Sequence, residues 1–152
     1  IDKITRAITP LYLSKKLYLQ KNTDTGPVLE EIKEGSEINV GAKIIVRLHL
    51  KCDRDMEYIH LKDMRASGLE PVNVISQFKY QGGLWYYETT RDASSNFFFD
   101  KLPKGSYIFE YPLFATHAGD FSLGIATIQS MYAPEFTSHS EGMRIHILPQ
   151  IP

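Results

Sequence analysis

Apolar residues return at every second position along this chain, and that rhythm constrains the fold more than any other feature. In Lys43–Lys51, "KIIVRLHLK", Ile44, Val46, Leu48 and Leu50 fall on one face, and Lys43, Arg47, His49 and Lys51 on the other. Only Ile45 breaks the pattern. Tyr107, Phe109, Tyr111, Leu113 and Ala115 repeat it, as do Met143, Ile145 and Ile147 against Arg144 and His146. Period two is the signature of a strand with one face on a core and one in water. Further strands are expected at residues 11–20, 28–32, 57–62, 72–80, 84–89, 96–100 and 124–132. "QGG" at 81–83 supplies glycine for a tight hairpin, and "PKG" at 103–105 marks another turn. No segment holds a 3.6-residue apolar stripe. Many short alternating strands with regular turns predict an all-β fold, an antiparallel two-sheet β-sandwich, with a β-barrel as the runner-up.

The chain's 152 residues suffice for one domain with a core that needs no staples. Residues 1–10, ending at Pro10, read as a lead-in from a preceding domain, and 11–152 as the sandwich. A first residue of Ile rather than Met is what a mature product or a domain cut from a longer chain would give. Lys and Arg total 17 against 18 Asp and Glu, scattered along the chain. Neither a nucleic acid nor an anionic membrane is recruited by such a field. No window approaches the ~18 apolar residues of a membrane span, so direct membrane insertion is not expected. Cys52 stands alone, which excludes an intrachain disulfide and a cysteine-based zinc site.

"SHSE" at 138–141 brings serine, histidine and glutamate together and invites a hydrolase reading centred on His139. Neighbours on an extended strand point to opposite faces, however, and the Gly-x-Ser-x-Gly elbow is absent. A polar loop is the plainer reading, and no enzyme is expected. The five histidines show no metal-binding spacing, and His49 and His146 fall on the polar faces of their strands. "DRDME" at 53–57 lacks the central glycine of a calcium loop and reads as a charged hairpin turn. No metal or cofactor is expected.

Aromatic residues carry more information. Trp85, Tyr86 and Tyr87 follow one turn, and Phe97, Phe98 and Phe99 another. Consecutive strand residues face both ways, so some of these rings lie off the core. Burial suits the phenylalanines; Trp85 and Tyr87 are candidates for an aromatic contact surface, since amphipathic rings favour interfaces.

Four stretches resemble one family: "DMEYIHLKDMRASGLEPV" (55–72), "YYETTRDASSNFFFDKLPKGSYIFEY" (86–111), "AGDFSLGIATIQSMYAPEF" (118–136) and "HSEGMRI" (139–145). Together they are similar to the C-terminal macroglobulin-like domain of bacterial alpha-2-macroglobulins, in versions typical of Bacteroidetes. The resemblance covers roughly residues 10–147 and implies an immunoglobulin/macroglobulin-like sandwich without catalytic activity. It further implies a very large parent chain at the cell envelope, facing the periplasm, lipid-anchored in some members. The partners it implies are the other domains of that chain and, through the parent, target proteases. In members with a thioester, this domain shields the bond from water, and the shielding residues match Met131 and Tyr132. Cys52 is followed by "DRD" rather than the Cys-x-Glu-Gln of a thioester, which fits a thioester domain lying upstream or a member that has none.

The residues of "MYAPEF" give the same region a physical role. Pro134 lacks an N–H and ends the ladder, so Met131 and Tyr132 are expected as the last strand residues before the chain turns out. Alternation would send the two to opposite faces, Tyr132 being the more exposed. Met131, Tyr132 and Pro134 are the candidate interdomain docking residues, and "TSHSEG" is the expected return loop. The alternative function is a free-standing carbohydrate-binding or adhesive module using Trp85 and Tyr87.

Overall fold

The computed structural model describes residues 10–71, 77–81, 84–90 and 94–149, the side chains of 77–81, 85 and 90 excepted. Within them, chain order runs β1 (Leu11–Thr23), β2 (Gly26–Ile32), β3 (Glu37–Asn39), β4 (Lys43–Cys52), β5 (Met56–Met64), β6 (Leu69–Pro71) and β7 (Gln77–Gln81). There follow β8 (Leu84–Thr90), β9 (Ser94–Leu102), β10 (Gly105–Ala115), β11 (Gly119–Leu123), β12 (Ala126–Ser130), β13 (Thr137–His139) and β14 (Met143–Leu148). One sheet has the order β2-β1-β4-β10-β6 and a second β13-β12-β5-β9-β8-β7. The antiparallel sandwich is therefore the architecture, and the sheets do not close into a barrel.

The alternation predicted from sequence fills the space between the sheets. Leu11, Leu13, Leu17, Ile44, Val46, Leu48, Leu50, Phe109 and Leu113 pack from one side, and Ile59, Leu61, Phe97, Phe99, Ala126 and Ile128 from the other. Tyr86, Phe99 and Phe109 meet with ring centroids 5.2–5.5 Å apart, tilted or edge-on, which adds to the area they bury. Of the two aromatic triplets, Tyr86, Phe97 and Phe99 are core, whereas Tyr87 and Phe98 are only half-buried.

Several details depart from the sequence reading. Glu37–Asn39, Leu69–Pro71 and Thr137–His139 are strands too short to show a period. A third, three-stranded sheet, β11-β14-β3, includes a parallel pair in which His146 lies opposite Glu37. It joins the same core through Ile38, Leu123, Ile145 and Ile147. The strand expected over 124–132 is shortened to β12, Ala126–Ser130, and β11 before it was not expected; the chain changes sheets between them at Gly124–Ile125. A Cβ on Gly124 would lie 2.4 Å from Met64 Cβ and 2.6 Å from its carbonyl oxygen, so only glycine passes this close. "DRDME" joins β4 of one sheet to β5 of the other and is an inter-sheet crossing, not a hairpin turn. The expected strand at 72–80 is described only from Gln77. Residues 1–9, 72–76, 82–83, 91–93 and 150–152 lie outside the described residues, and so does most of the expected lead-in.

Three polar residues cross the core. Lys15 Nζ donates to Asp63 Oδ1 (2.6 Å), to the Met64 carbonyl (3.2 Å) and to the Gly124 carbonyl (3.0 Å). The Tyr111 hydroxyl donates to the other oxygen of Asp63. All three ammonium protons thus have acceptors, which is the condition for burying such a group. Lys15 and Tyr111 belong to one sheet and Asp63 to the other, so the network ties the layers together.

Candidate docking site

β12 pairs with β5 as far as Ser130 opposite Ile59, and the chain then leaves the sheet. Met131 and Tyr132 are thus the first loop residues, not the last strand residues, and alternation no longer governs them. Both side chains face solvent, Met131 at 56% exposure and Tyr132 at 79%. Tyr132 is the more exposed, in keeping with the sequence reading, but neither turns inward.

The loop is built to hold them out. Phe136 N–H donates to the Ala133 carbonyl (2.9 Å), closing a four-residue turn over Ala133–Phe136 with proline second. Proline pre-sets φ for that position and has no N–H to satisfy there. Ser130 Oγ accepts from Ala133 N–H (3.2 Å), and Ser130 N–H donates to the Phe136 carbonyl (3.1 Å). Thr137 Oγ1 donates to the Pro134 carbonyl (2.5 Å). Phe136 packs its partly buried ring on the core, with the Arg54 guanidinium 5.6 Å from the ring centroid. Asp53 accepts from Arg54 Nε (2.9 Å), and that hydrogen bond holds the guanidinium above its ordinary pKa.

On the other flank stands Tyr58. Met131 N–H donates to its carbonyl (2.9 Å), and its ring meets Tyr132 edge-to-face, with centroids 5.0 Å apart at 86°. Tyr58 was not singled out from sequence, because nothing in a lone tyrosine of an expected strand shows that its ring stacks on a distant loop.

A second surface lies on the outer face of β5, β9 and β8. A groove of about 500 Å³ is lined by His60, Lys62, Tyr87, Thr89, Asn96 and Phe98, among others. His60 and Phe98 stack in parallel at 4.6 Å, and His60 Nε2 lies 2.9 Å from Asn96 Oδ1. Tyr87 pairs with Phe98 in register. The side chain of Trp85 lies outside the described residues.

The "SHSE" residues do not converge. Ser138 and His139 lie on β13, opposite Ile128 and Thr127, so the expected loop there contains a short strand. His139 Nδ1 is 3.2 Å from the Ser140 carbonyl. Ser140 is buried, and its hydroxyl accepts from Ala126 N–H at 2.8 Å, which is a sheet-tying role. Among the described residues no three His, Cys, Asp or Glu side chains gather in a metal-holding group.

The fold, all strand among the described residues, is a sandwich of the macroglobulin class. Residues 11–135 match the MG10 domain of bacterial alpha-2-macroglobulins, so the chain belongs to that family. Its fold is that of a mutant Salmonella alpha-2-macroglobulin (17% identical, TM-score 0.71, 92% of this chain against 9% of that one). It is also that of native Escherichia coli alpha-2-macroglobulin from domain MG7 to the C-terminus (13% identical, TM-score 0.71, 92% against 24%). A curated relative, "Circularly permutated Ras protein 2" of Dictyostelium discoideum, is 27% identical over 111 residues, covering 73% of this chain and 3% of that protein. The chain thus spans only a small part of the length of these three proteins.

Proposed function

We propose that this chain is a non-catalytic interaction domain of a bacterial alpha-2-macroglobulin-like protease inhibitor. It docks on neighbouring domains of the same chain through Met131, Tyr132 and Pro134, including a thioester domain where one is present. The observation that carries the reading is the loop: a thioether and a phenol held in the open on a turn fixed by its own hydrogen bonds. A pre-ordered apolar rim loses little freedom on docking, and exposed Met and Tyr suit a surface meant to be covered. One of the solved macroglobulins with this fold is a trypsin-activated form, which supports a protease as the target of the parent chain. The "SGLEP" and "MYAPEF" motifs extend the reading to an envelope protein of Bacteroidetes type facing the periplasm.

Alanine at Met131 and at Tyr132 separates docking from folding. Each substitution should cost about 1 kcal/mol or less in urea unfolding of this chain. Each should also make the full macroglobulin chain more sensitive to protease. Losses above ~3 kcal/mol for both, with the full chain unaffected, would make them core residues and end the docking reading.

The outer groove favours a second reading, in which a short saccharide stacks on Tyr87 and Phe98 and hydrogen-bonds Asn96 and Lys62. Titration with neutral oligosaccharides, watched at Tyr87 by NMR, decides it; unmoved resonances at millimolar sugar reject it.

A further inference from the structure

We propose that Tyr58 is a positioning residue of the docking rim, held in a strained backbone conformation so that its ring fixes Tyr132; its docking consequence rests on the function proposed above. Tyr58 has φ +54°, a left-handed value. A bulky aromatic residue rarely adopts it, and glycine would adopt it freely. Among the described residues it is the only non-glycine with positive φ. Strain of this kind persists where surrounding structure over-determines it, and it gathers at functional surfaces.

The Tyr58 ring itself takes no part in the core. Tyr58 is 43% exposed and Tyr132 79%, so the ring pair lies at the surface. At Tyr58 β5 changes phase, and β9 changes with it, since Phe99 and Leu102, opposite Ile59 and Met56, are both buried. Ile59, Leu61 and Asp63 point inward, as strict alternation requires. Met56 also packs on the core, which alternation from Ile59 would not allow. Both Glu57 and Tyr58 are left outside, and the Tyr58 carbonyl is free to accept Met131 N–H. One backbone setting therefore secures the loop's first residue and aims a ring at its second. Tyr58 and Tyr132 thus present an exposed ring pair, with the exposed Met131 next to Tyr132 in the chain. The occupant of this surface is the adjoining domain of the same macroglobulin chain. The solved macroglobulins of this fold extend far beyond the part matched here, which is 9% of one and 24% of the other.

The test compares Tyr58→Gly, which removes both strain and ring, with Tyr58→Phe, which keeps both. In Tyr58→Gly the backbone order parameters of Met131 and Tyr132 should fall from about 0.85 to below about 0.6. Tyr58→Phe should hold them at the native value. The thermal midpoint of Tyr58→Gly should equal or exceed that of the native chain, and a lower one overturns the claim of retained strain. Unchanged loop order in Tyr58→Gly overturns the positioning role. In the full macroglobulin chain, Tyr58→Gly should raise protease sensitivity several-fold, as Tyr132→Ala does, with no further rise in the double variant. If Tyr132→Ala is effective there and Tyr58→Gly is silent, the positioning role fails. If Tyr132→Ala is itself silent, the docking reading fails, and loop order alone decides the role of Tyr58.

Discussion

Replacing Asp63 by alanine should be among the most damaging single changes in this domain. Its carboxylate is fully buried, accepting Lys15 Nζ on one oxygen and the Tyr111 hydroxyl on the other. Without it, the Lys15 ammonium, itself only 6% exposed, keeps two carbonyl acceptors but has no counter-charge. Breaking a buried ion pair from one side costs about 3–5 kcal/mol, and the Tyr111 hydroxyl, left with Ser95, loses its carboxylate acceptor as well. With a urea m-value of about 2 kcal/mol per molar, a loss of about 4 kcal/mol moves the midpoint by about 2 M. The informative control is the triple variant Lys15→Met, Asp63→Leu, Tyr111→Phe, in which the whole network becomes apolar at similar volume. Desolvating two charges cancels much of their attraction, so the triple variant should match the native chain or exceed it by about 1–4 kcal/mol. Urea unfolding followed by circular dichroism reads both. If Asp63→Ala costs under about 1 kcal/mol, the pair is not the tie between sheets described here. If the triple variant is as weak as the single, the network contributes net stability, and the desolvation argument fails.

Gly124→Ala should cost about 1–3 kcal/mol by overpacking, because its new methyl meets the Met64 Cβ and carbonyl rather than a movable side-chain tip. Gly68→Ala, whose methyl would meet the Phe121 ring and the end of Ile147, should cost less. Urea midpoints of the two give the order, and the reverse order would contradict it. Alkaline stability is set partly by two phenols. Burial first, then Glu88, pushes Tyr86 up to about 12, and burial and then Asp63 push Tyr111 well above its ordinary value. A folded pKa above the unfolded value of about 10 means that this stabilisation is whole below pH ~10 and is lost as pH rises towards and through ~12. Urea midpoints taken across that range should fall, and fall less steeply in Tyr86→Phe; an equal slope in the variant would reject the assignment.

The layers of the fold were legible because each inward-facing residue repeats one message. Ile44, Val46, Leu48 and Leu50 alternate cleanly, and their burial needs nothing beyond a pleated strand against a partner sheet. The short strands were not legible, since Glu37–Asn39 and Thr137–His139 are shorter than two full periods and owe their pairing to the strands beside them. The inter-sheet network left a trace that was available. Lys15 occupies the inward phase of Leu11, Leu13 and Leu17, and Asp63 that of Ile59 and Leu61. Two opposite charges in core phase on different strands point to a buried pair, though not to which strands meet.

The rim was legible in its ends and not in its middle. Pro134 announces that the ladder stops, and the turn over Ala133–Phe136 gives that proline its usual second position. Alternation cannot foretell that Met131 and Tyr132 both face outward, because it holds only while the strand lasts, and β12 ends at Ser130. Tyr58 is harder still. Its left-handed φ runs against the preference of its own side chain, so local reading favours the wrong conformation. Local rules fail where another requirement overrides them, and here that requirement lies 73 positions along the chain, at Met131 N–H. The failure of the strand rule at Tyr58 is therefore itself a reason to place Tyr58 with the loop it supports rather than with the sheet that carries it.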